Sequence, residues 1–240
     1  MTGFKQRRSA WYAVAGAILS LGAPAGLLFL RELSVRRPIA TELMSDRLTY
    51  LYVFIATAVV LASVGFALGR QADRLAALSE TDVLTGLPNR RALRRRLSAE
   101  VRRSVRYAAP VSLLLVDVDG LKKVNDAEGH AAGDRVIRSV AIAITEGLRD
   151  SDFGARWGGD EFAIVTPNAT GDAARSSAER LVTRVAERSR DGHPSATVSV
   201  GVATFDPADR KHVDLEAFVR AADAALYLAK TSGRNRVQAA

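Results

Sequence analysis

The sequence predicts an α/β fold, a sheet of mixed strand direction with helices packed on it, preceded by a two-helix transmembrane hairpin. Two observations support this prediction. Two apolar stretches without any charge, residues 11–30 and 48–69, lie near the amino terminus. From residue 80 onward, apolar stripes with helical spacing alternate with short apolar runs that are typical of strands. We therefore expect a membrane anchor over residues 1–79 and one folded domain over residues 80–240.

Each apolar stretch is long enough to cross a bilayer, because about 20 helical residues span the hydrocarbon core. Aromatic residues that favour the membrane interface lie near their ends, namely Trp11, Tyr12, Tyr50 and Tyr52. Pro24 predicts a kink in the first helix. A signal anchor or a cleaved signal peptide is the alternative for the first stretch, and a buried core helix for the second. The second helix is expected to continue into the juxtamembrane segment 70–79.

Composition restricts the kinds of site and partner. The chain has 240 residues, a formal net charge of +8 and no cysteine, which excludes disulfides and thiolate metal sites. A basic chain would also suit nucleic-acid binding, but no motif for it is present, so we expect no nucleic-acid partner. Attraction to anionic membrane lipid explains the charge more simply. The arginines that follow Pro88 are read as a solvated helix face, with lipid contact as the alternative.

Apolar spacing and turn residues predict the elements of the folded domain. Pro88 is expected to open a helix with the inner stripe Leu93, Leu97, Val101 and Val105. A second helix has the inner stripe Val136, Ile137, Val140, Ile144 and Leu148. Two further helices are predicted over Ala173–Arg188 and Asp214–Ala229, the latter capped by Asp214. The predicted strands are Leu113–Val116, Glu161–Thr166 and Thr197–Phe205, with residues 153–157 as the first arm of a β-hairpin.

The run Gly158-Gly159-Asp160-Glu161-Phe162 is the most informative motif. Two glycines permit a tight turn and the close approach of a large ligand, and two carboxylates follow them. Exposed acids at a turn are often only solvated. A second acidic pair, Asp117 and Asp119, ends the buried run at 113–116. Carboxylates that converge from two strand ends are the arrangement that hard cations prefer, so a divalent-metal site is predicted here.

Five motifs in order give the chain a family resemblance. They are Asp82–Arg91, Asp117–Asp126, Gly129-His130 with Gly133-Asp134, Gly158–Phe162, and Asp223 with Leu226-Tyr227, Ala229-Lys230 and Gly233-Arg234-Asn235. Together they resemble the GGDEF-domain diguanylate cyclases, which join two GTP molecules into cyclic di-GMP and release pyrophosphate. The resemblance implies a ferredoxin-like core of the kind shared by nucleotide cyclases and polymerase palms.

The resemblance also implies which residues hold metal and substrate. The metal, Mg²⁺ with Mn²⁺ as the alternative, would be bound by Asp117, Asp160, Glu161 and the carbonyl of Val118. Whether Glu161 also acts as a base stays open, and Asp119 is expected to be structural. Guanine would be recognised by Asn125 and Asp134 with His130 nearby, and triphosphate by Gly120, Leu121, Lys122, Lys230 and Arg234.

Three of these assignments have plainer alternatives or depart from the family. Asp134 would otherwise be a helix N-cap before Val136, and Lys230 with Arg234 would be dipole partners at a helix end. Leu121 stands where the family usually has phenylalanine. Because that contact comes from the backbone, we expect the difference to be tolerated.

The resemblance implies regulation and assembly as well. Arg149 and Asp152 match an inhibitory site for cyclic di-GMP, so product inhibition is expected. Each domain would hold one GTP, which requires a homodimer. A GTP-consuming domain lies in the cytoplasm, so the anchor would be a multi-pass segment of the cytoplasmic membrane. The alternatives are a catalytically silent cyclic di-GMP receptor and a purely structural membrane protein or nucleic-acid binder.

Overall fold

The structure is a computed structural model that describes residues 6–35, 44–188, 196–208 and 214–240. The chain divides into two compact units, Met1–Ser79 and Glu80–Ala240. The boundary between the two units lies between Ser79 and Glu80. Each unit is described by itself.

The amino-terminal unit contains α1 (Gln6–Leu19), α2 (Gly22–Val35) and α3 (Arg47–Leu78). The helix predicted over 11–30 corresponds to one apolar segment, Ala10–Arg31, which bends at Ser20 and Leu21 between α1 and α2. The bend lies four residues before Pro24, where a proline ring disturbs a helix, so the predicted kink is present. The Ser20 hydroxyl donates a hydrogen bond to the Ala17 carbonyl at this turn (2.6 Å). Pro24 lies in the first turn of α2, where its missing N–H would have had no helical partner. Residues 36–43 of the predicted loop lie outside the described residues.

Close glycine contacts join α1 to α3. A Cβ atom at Gly16 would meet the Leu61 carbonyl, and one at Gly65 would meet the Tyr12 carbonyl, so neither position has room for a side chain. Small residues allow this approach between apolar helices. Two segments are long and apolar enough to cross a membrane, Ala10–Arg31 with mean hydropathy 2.0 and Arg47–Ala72 with mean hydropathy 2.3. As expected, α3 continues as one helix beyond the apolar stretch to Leu78.

The second unit alternates helices and strands as predicted. Its helices are α4 (Arg90–Tyr107), α5 (Leu121–Glu128), α6 (His130–Gly147), α7 (Gly171–Arg188) and α8 (Leu215–Thr231). Its strands are β1 (Val111–Val118), β2 (Phe153–Gly158), β3 (Glu161–Pro167), β4 (Val198–Phe205) and β5 (Val237–Ala239).

The strands form one mixed sheet in the order β2-β3-β1-β4-β5. The first four strands are antiparallel to their neighbours, and β5 adds to β4 in parallel. β1 lies at the centre and is buried along its whole length. Its successive side chains therefore enter two different cores. Leu114, Val116 and Val118 pack with α6 and α7, whereas Leu113 and Leu115 pack with α4 and α8.

Several element boundaries differ from the sequence prediction. Helix α4 begins at Arg90, after Pro88, because the Asn89 side chain accepts hydrogen bonds from the N–H groups of Arg91 and Ala92 and so caps it. Val105, predicted on the inner stripe, is 48% exposed. Leu148 follows the end of α6 and is half-buried. The cap of α8 by Asp214 is confirmed.

Candidate active site

The predicted acidic residues meet at one end of the central strand. Asp117 and Glu161 are directly opposite each other in the β1–β3 pairing. The N–H of Val118 donates a hydrogen bond to the carbonyl of Asp160 (3.1 Å), which ties the hairpin turn to the end of β1. The β2–β3 hairpin thus places Asp160 and Glu161 beside Asp117, although 42 positions or more separate them in the sequence.

Lys230, at the end of α8, reaches this carboxylate cluster. Its Nζ lies 2.7 Å from Oδ2 of Asp117. Asp117 is only 8% exposed. Burial disfavours the ionised carboxylate and raises the pKa of Asp117 from 3.8 to about 6. Lys230 opposes this rise, whereas the charges of Asp160 and Glu161 add to it. The cluster therefore holds more negative charge than one lysine neutralises.

Asp119, two residues further along, has a different environment. Its side chain accepts hydrogen bonds from the hydroxyls of Thr197 (2.8 Å) and Ser199 (2.7 Å) and from the N–H of Asn235 (3.1 Å). These bonds join the end of β1 to β4 and to the chain after α8. The interactions agree with the structural role expected for this residue.

The donor set suits a divalent cation that is completed by substrate. Among the described residues, no three acidic or histidine side chains form a complete metal cage. Mg²⁺ seldom needs one, because it is bound by one or two carboxylates together with phosphate oxygens and water. Asp160 and Glu161 are half-buried, and their negative charges help to raise the pKa of Asp117. A cation bound among these three carboxylates would relieve the repulsion between them.

Helix α5, which was not predicted, follows β1 and carries residues that the sequence analysis predicts to contact phosphate and base. Gly120 is its N-cap, Leu121 its buried first residue, and Lys122 is exposed. The half-buried Asn125 lies against α6, where a Cβ atom at Gly133 would overlap the Asn125 amide oxygen. The absence of a side chain at position 133 therefore makes room for Asn125.

The interpretation of Asp134 as an N-cap is wrong. Helix α6 begins at His130 after Gly129, so Asp134 lies in its second turn and is half-buried. A side chain at that position does not reach the free N–H groups of the helix start. His130 is exposed at the first position of the same helix. The structure thus removes the plainer explanation for Asp134.

Arg234 follows α8 in an unusual backbone conformation. Arg234 and Asn235 have φ values of 61° and 47°, in the left-handed region that non-glycine residues seldom occupy. The N–H of Arg234 donates to the Ala229 carbonyl (3.1 Å), and that of Asn235 donates to Asp119. These bonds hold the exposed Arg234 near the end of the helix that carries Lys230.

Arg156 organises the hairpin turn, and sequence reasoning missed it. Its guanidinium donates to both carboxylate oxygens of Asp82 (3.0 and 3.2 Å) and to the Gly159 carbonyl (2.6 Å). Burial raises the pKa of Asp82, but hydrogen bonds from Arg156 and Thr85 outweigh it, so the pKa lies below its ordinary value. The only sequence signal was the place of Asp82 and Arg156 in or beside two of the motifs.

The predicted inhibitory pair forms a separate small loop before β2. Asp152 accepts a hydrogen bond from the Arg149 N–H (3.0 Å), and the Asp152 N–H donates to the Arg149 carbonyl (2.9 Å). Arg149 is exposed. Asp152 also lines a cleft with Arg180 and Arg184 of α7, which the sequence analysis did not single out. Their spacing of four places both on one helix face.

Comparison with known proteins supports the motif assignment. The sequence model of the family described as "Diguanylate cyclase, GGDEF domain" matches residues 79–236. Diguanylate cyclase DosC of Escherichia coli K12 is 40% identical over 161 residues, which are 65% of this chain and 34% of DosC. The chain therefore spans about a third of the length of that relative.

Solved structures give the same result. The GGDEF domain of DgcB from Caulobacter crescentus, in complex with c-di-GMP, superposes with a TM-score of 0.61 at 34% identity and covers 67% of this chain and 95% of its own. Diguanylate cyclase SiaD of Pseudomonas aeruginosa, in complex with its activator SiaC, gives a TM-score of 0.61 at 33% identity. That match covers 93% of this chain and 89% of SiaD.

Proposed function

The chain belongs to the GGDEF family, and from this premise and the site we propose that it is a diguanylate cyclase, condensing two GTP into cyclic di-GMP. The observation that carries the proposal is the meeting of Asp117, Asp160, Glu161 and Lys230 at the end of β1. A silent receptor would have no need for this cluster of acids around a lysine. Purely structural roles leave it unexplained as well.

In the proposed reaction, the 3′-hydroxyl of each GTP attacks the α-phosphorus of the other, which forms two phosphodiester bonds and releases two pyrophosphates. The proton of each hydroxyl passes to a base, for which Glu161 is the candidate, or to water. Asp117, Asp160, Glu161 and the Val118 carbonyl would hold the metal ion, Mg²⁺ or Mn²⁺. The ion would supply charge neutralisation to the phosphates when bound. When the triphosphate enters, Lys230 leaves its ion pair with Asp117 and pairs with phosphate oxygens instead. Arg234 supplies a second positive charge to the phosphates. Both groups then stabilise charge that grows on the leaving pyrophosphate.

Guanine recognition is assigned to Asn125 and Asp134, with His130 close to them. The guanine edge presents a carbonyl acceptor beside N–H and amino donors, and an amide with a carboxylate matches that pattern. Gly133 supports the assignment because only glycine leaves space for the Asn125 side chain. The backbone at Gly120, Leu121 and Lys122 is proposed to contact the phosphates through its N–H groups.

One domain holds one GTP in this scheme, so the enzyme would act as a homodimer with two sites facing each other. The two apolar segments are proposed to anchor the chain in the cytoplasmic membrane as a multi-pass protein with a cytoplasmic catalytic domain. Specific activity is then expected to fall on dilution of the 80–240 fragment. Activity independent of concentration would contradict the dimer.

Product inhibition is proposed at Arg149 and Asp152, with Arg180 and Arg184 as further cations in the adjoining cleft. Cyclic di-GMP carries two phosphates and two guanines, which suit arginines beside a carboxylate. Arg149→Ala is expected to preserve the initial rate and to relieve inhibition by added cyclic di-GMP. Inhibition equal to that of the wild type would place the inhibitory site elsewhere.

The decisive experiment is incubation of the full chain and of the 80–240 fragment with GTP and Mg²⁺, followed by chromatography of the products. We expect a cyclic di-GMP peak that Glu161→Gln abolishes. Glu128→Gln is the matched control, since Glu128 is an exposed carboxylate on α5 outside the cluster. Bound cyclic di-GMP without any product would instead identify the chain as a silent receptor.

A further inference from the structure

The outer side of helix α4 carries an excess of positive charge. The helix contains eight arginines and one acidic residue, Glu100. Four of the arginines, Arg91, Arg95, Arg102 and Arg106, are exposed and recur at spacings of four, seven and four, so they lie along one side. We call these four residues the basic face. Three of them, Arg91, Arg95 and Arg102, line an open groove along the helix together with Arg90, Arg94 and Ser98.

Carboxylates neutralise only part of this charge. In the described part of the chain, Glu80 pairs with Arg95, Glu216 with Arg94, and the buried Glu100 with Arg96 (3.0 Å). Arg91 has a further polar partner, whereas Arg90, Arg102, Arg103 and Arg106 form no ion pair with a carboxylate among the described residues. Arg102 donates to the Ser98 hydroxyl, which adds no negative charge. The outer surface of α4 remains strongly positive after these pairs are formed.

Only part of this charge serves the fold, through the ion pairs named above, and none of it belongs to the proposed GTP site. Packing of α4 on the sheet comes from Leu93, Leu97 and Val101 on the opposite side. Like charges four apart on a helix, as in Arg91 with Arg95 and Arg102 with Arg106, destabilise it. A helix selected for stability alone would intersperse acids among these positions. The pattern therefore indicates an anionic partner.

We propose that the basic face binds the anionic phospholipid headgroups of the membrane in which the chain is anchored. The proposal rests on the proposed anchor but not on the cyclase activity. Only residues 73–89 separate the candidate span Arg47–Ala72 from the start of α4 in the sequence. Anionic membrane surfaces attract basic segments that follow a transmembrane helix closely in the sequence.

The end of α4 has the further character of a membrane-interface contact. Tyr107 is 63% exposed and Val105 is 48% exposed. The Tyr107 ring lies under the guanidinium groups of Arg103 (5.9 Å) and Arg106 (5.6 Å). Amphipathic rings beside basic side chains favour the headgroup region, where the ring enters the apolar boundary and the cations meet phosphate.

The test uses the 80–240 fragment, which holds both hydrophobic cores of its unit and corresponds to the GGDEF domain of DgcB that has been solved by itself. Its co-sedimentation is measured with vesicles of phosphatidylcholine alone and of phosphatidylcholine mixed with phosphatidylglycerol, over a series of salt concentrations. The test variant is Arg91→Gln/Arg102→Gln/Arg106→Gln. The matched control, Arg138→Gln/Arg175→Gln/Arg220→Gln, removes the same charge from exposed positions on other helices.

We expect salt-sensitive binding to the anionic vesicles, a loss of at least about tenfold in partitioning for the α4 variant, and little change for the control. Both variants should keep the circular dichroism of the wild type and its cyclase activity without lipid. If both variants lost vesicle binding equally, net charge alone would explain the binding, and the proposal would be overturned. Absence of vesicle binding, or α4-dependent binding to single-stranded RNA instead, would overturn it too.

Discussion

Replacement of Asp117 by asparagine is expected to stabilise the metal-free protein at neutral pH while abolishing the proposed activity. The pKa of Asp117 rises from 3.8 to about 6 on folding, chiefly because the side chain is buried. That difference corresponds to about 3 kcal/mol of unfavourable free energy for the ionised side chain in the folded state. Asparagine has the same shape and no charge, and it still offers Lys230 an oxygen acceptor. A gain of about 1–3 kcal/mol in the free energy of unfolding follows.

The sign of the pH dependence makes the prediction specific. The folded state binds a proton at Asp117 more tightly than the unfolded state does. Below about pH 4, protonated Asp117 therefore adds to the free energy of unfolding of the wild type. It loses that contribution as the pH rises from about 4 to about 6. Urea unfolding of the 80–240 fragment in a metal chelator, at about pH 8 and about pH 4, should therefore show the gain for Asp117→Asn only at the higher pH.

Asp119→Asn is the matched control, with the same chemical change two residues away. Asp119 accepts two hydroxyl hydrogen bonds and one backbone hydrogen bond, so loss of its charge and of one acceptor should lower stability by about 1–3 kcal/mol. Stabilisation of both variants, or destabilisation of Asp117→Asn at about pH 8, would refute the reasoning.

Three further changes test other parts of the molecule. Gly133→Ala should raise the KM for GTP at least about tenfold with little loss of melting temperature, since the new Cβ displaces Asn125. Arg156→Gln should lower the free energy of unfolding by about 1–3 kcal/mol and lower kcat, and addition of Asp82→Asn should cost little more if the two act as a pair. Gly65→Leu should lower the melting temperature of the full chain in detergent, whereas Gly26→Ala, at an open position, should not.

The sequence predicted the elements of the second unit well where a local pattern was complete. The β2–β3 hairpin was predicted because two glycines separate two apolar arms, and the start of α8 because Asp214 is a capping residue. Helix α5 was missed because its single buried residue, Leu121, leaves no stripe to detect. The sequence showed only the inner stripe of α6 from Val136 onward, because Gly129 and Gly133 obscure the helical pattern before it.

Contacts between distant segments could not be read from local patterns. Arg156 is indistinguishable in sequence from any other strand arginine, and only the fold brings Asp82 to it across 74 positions. By contrast, the bend at Ser20 and Leu21 was predicted as a kink, because Pro24 disturbs the helix at the carbonyl four residues before it. Membrane anchoring, the homodimer and the inhibitory role of Arg149 remain predictions, since they depend on partners that one chain does not contain.

The two acids at the end of β1, Asp117 and Asp119, differ in the groups that surround them, and this difference separates the candidate metal ligand from the structural residue. Asp117 lies near the end of β1 and Asp119 just beyond that end, two residues away. The acidic pattern alone does not distinguish them as metal ligands, and only the family resemblance favours Asp117. The Asp119 carboxylate accepts hydrogen bonds from Thr197, Ser199 and Asn235, which tie it to the neighbouring segments of the fold. Asp117 has one lysine and two neighbouring carboxylates, which makes its charged form unfavourable until another cation arrives. A group that is strained in the empty protein and relieved by a divalent ion is what a cation-dependent phosphoryl-transfer site requires.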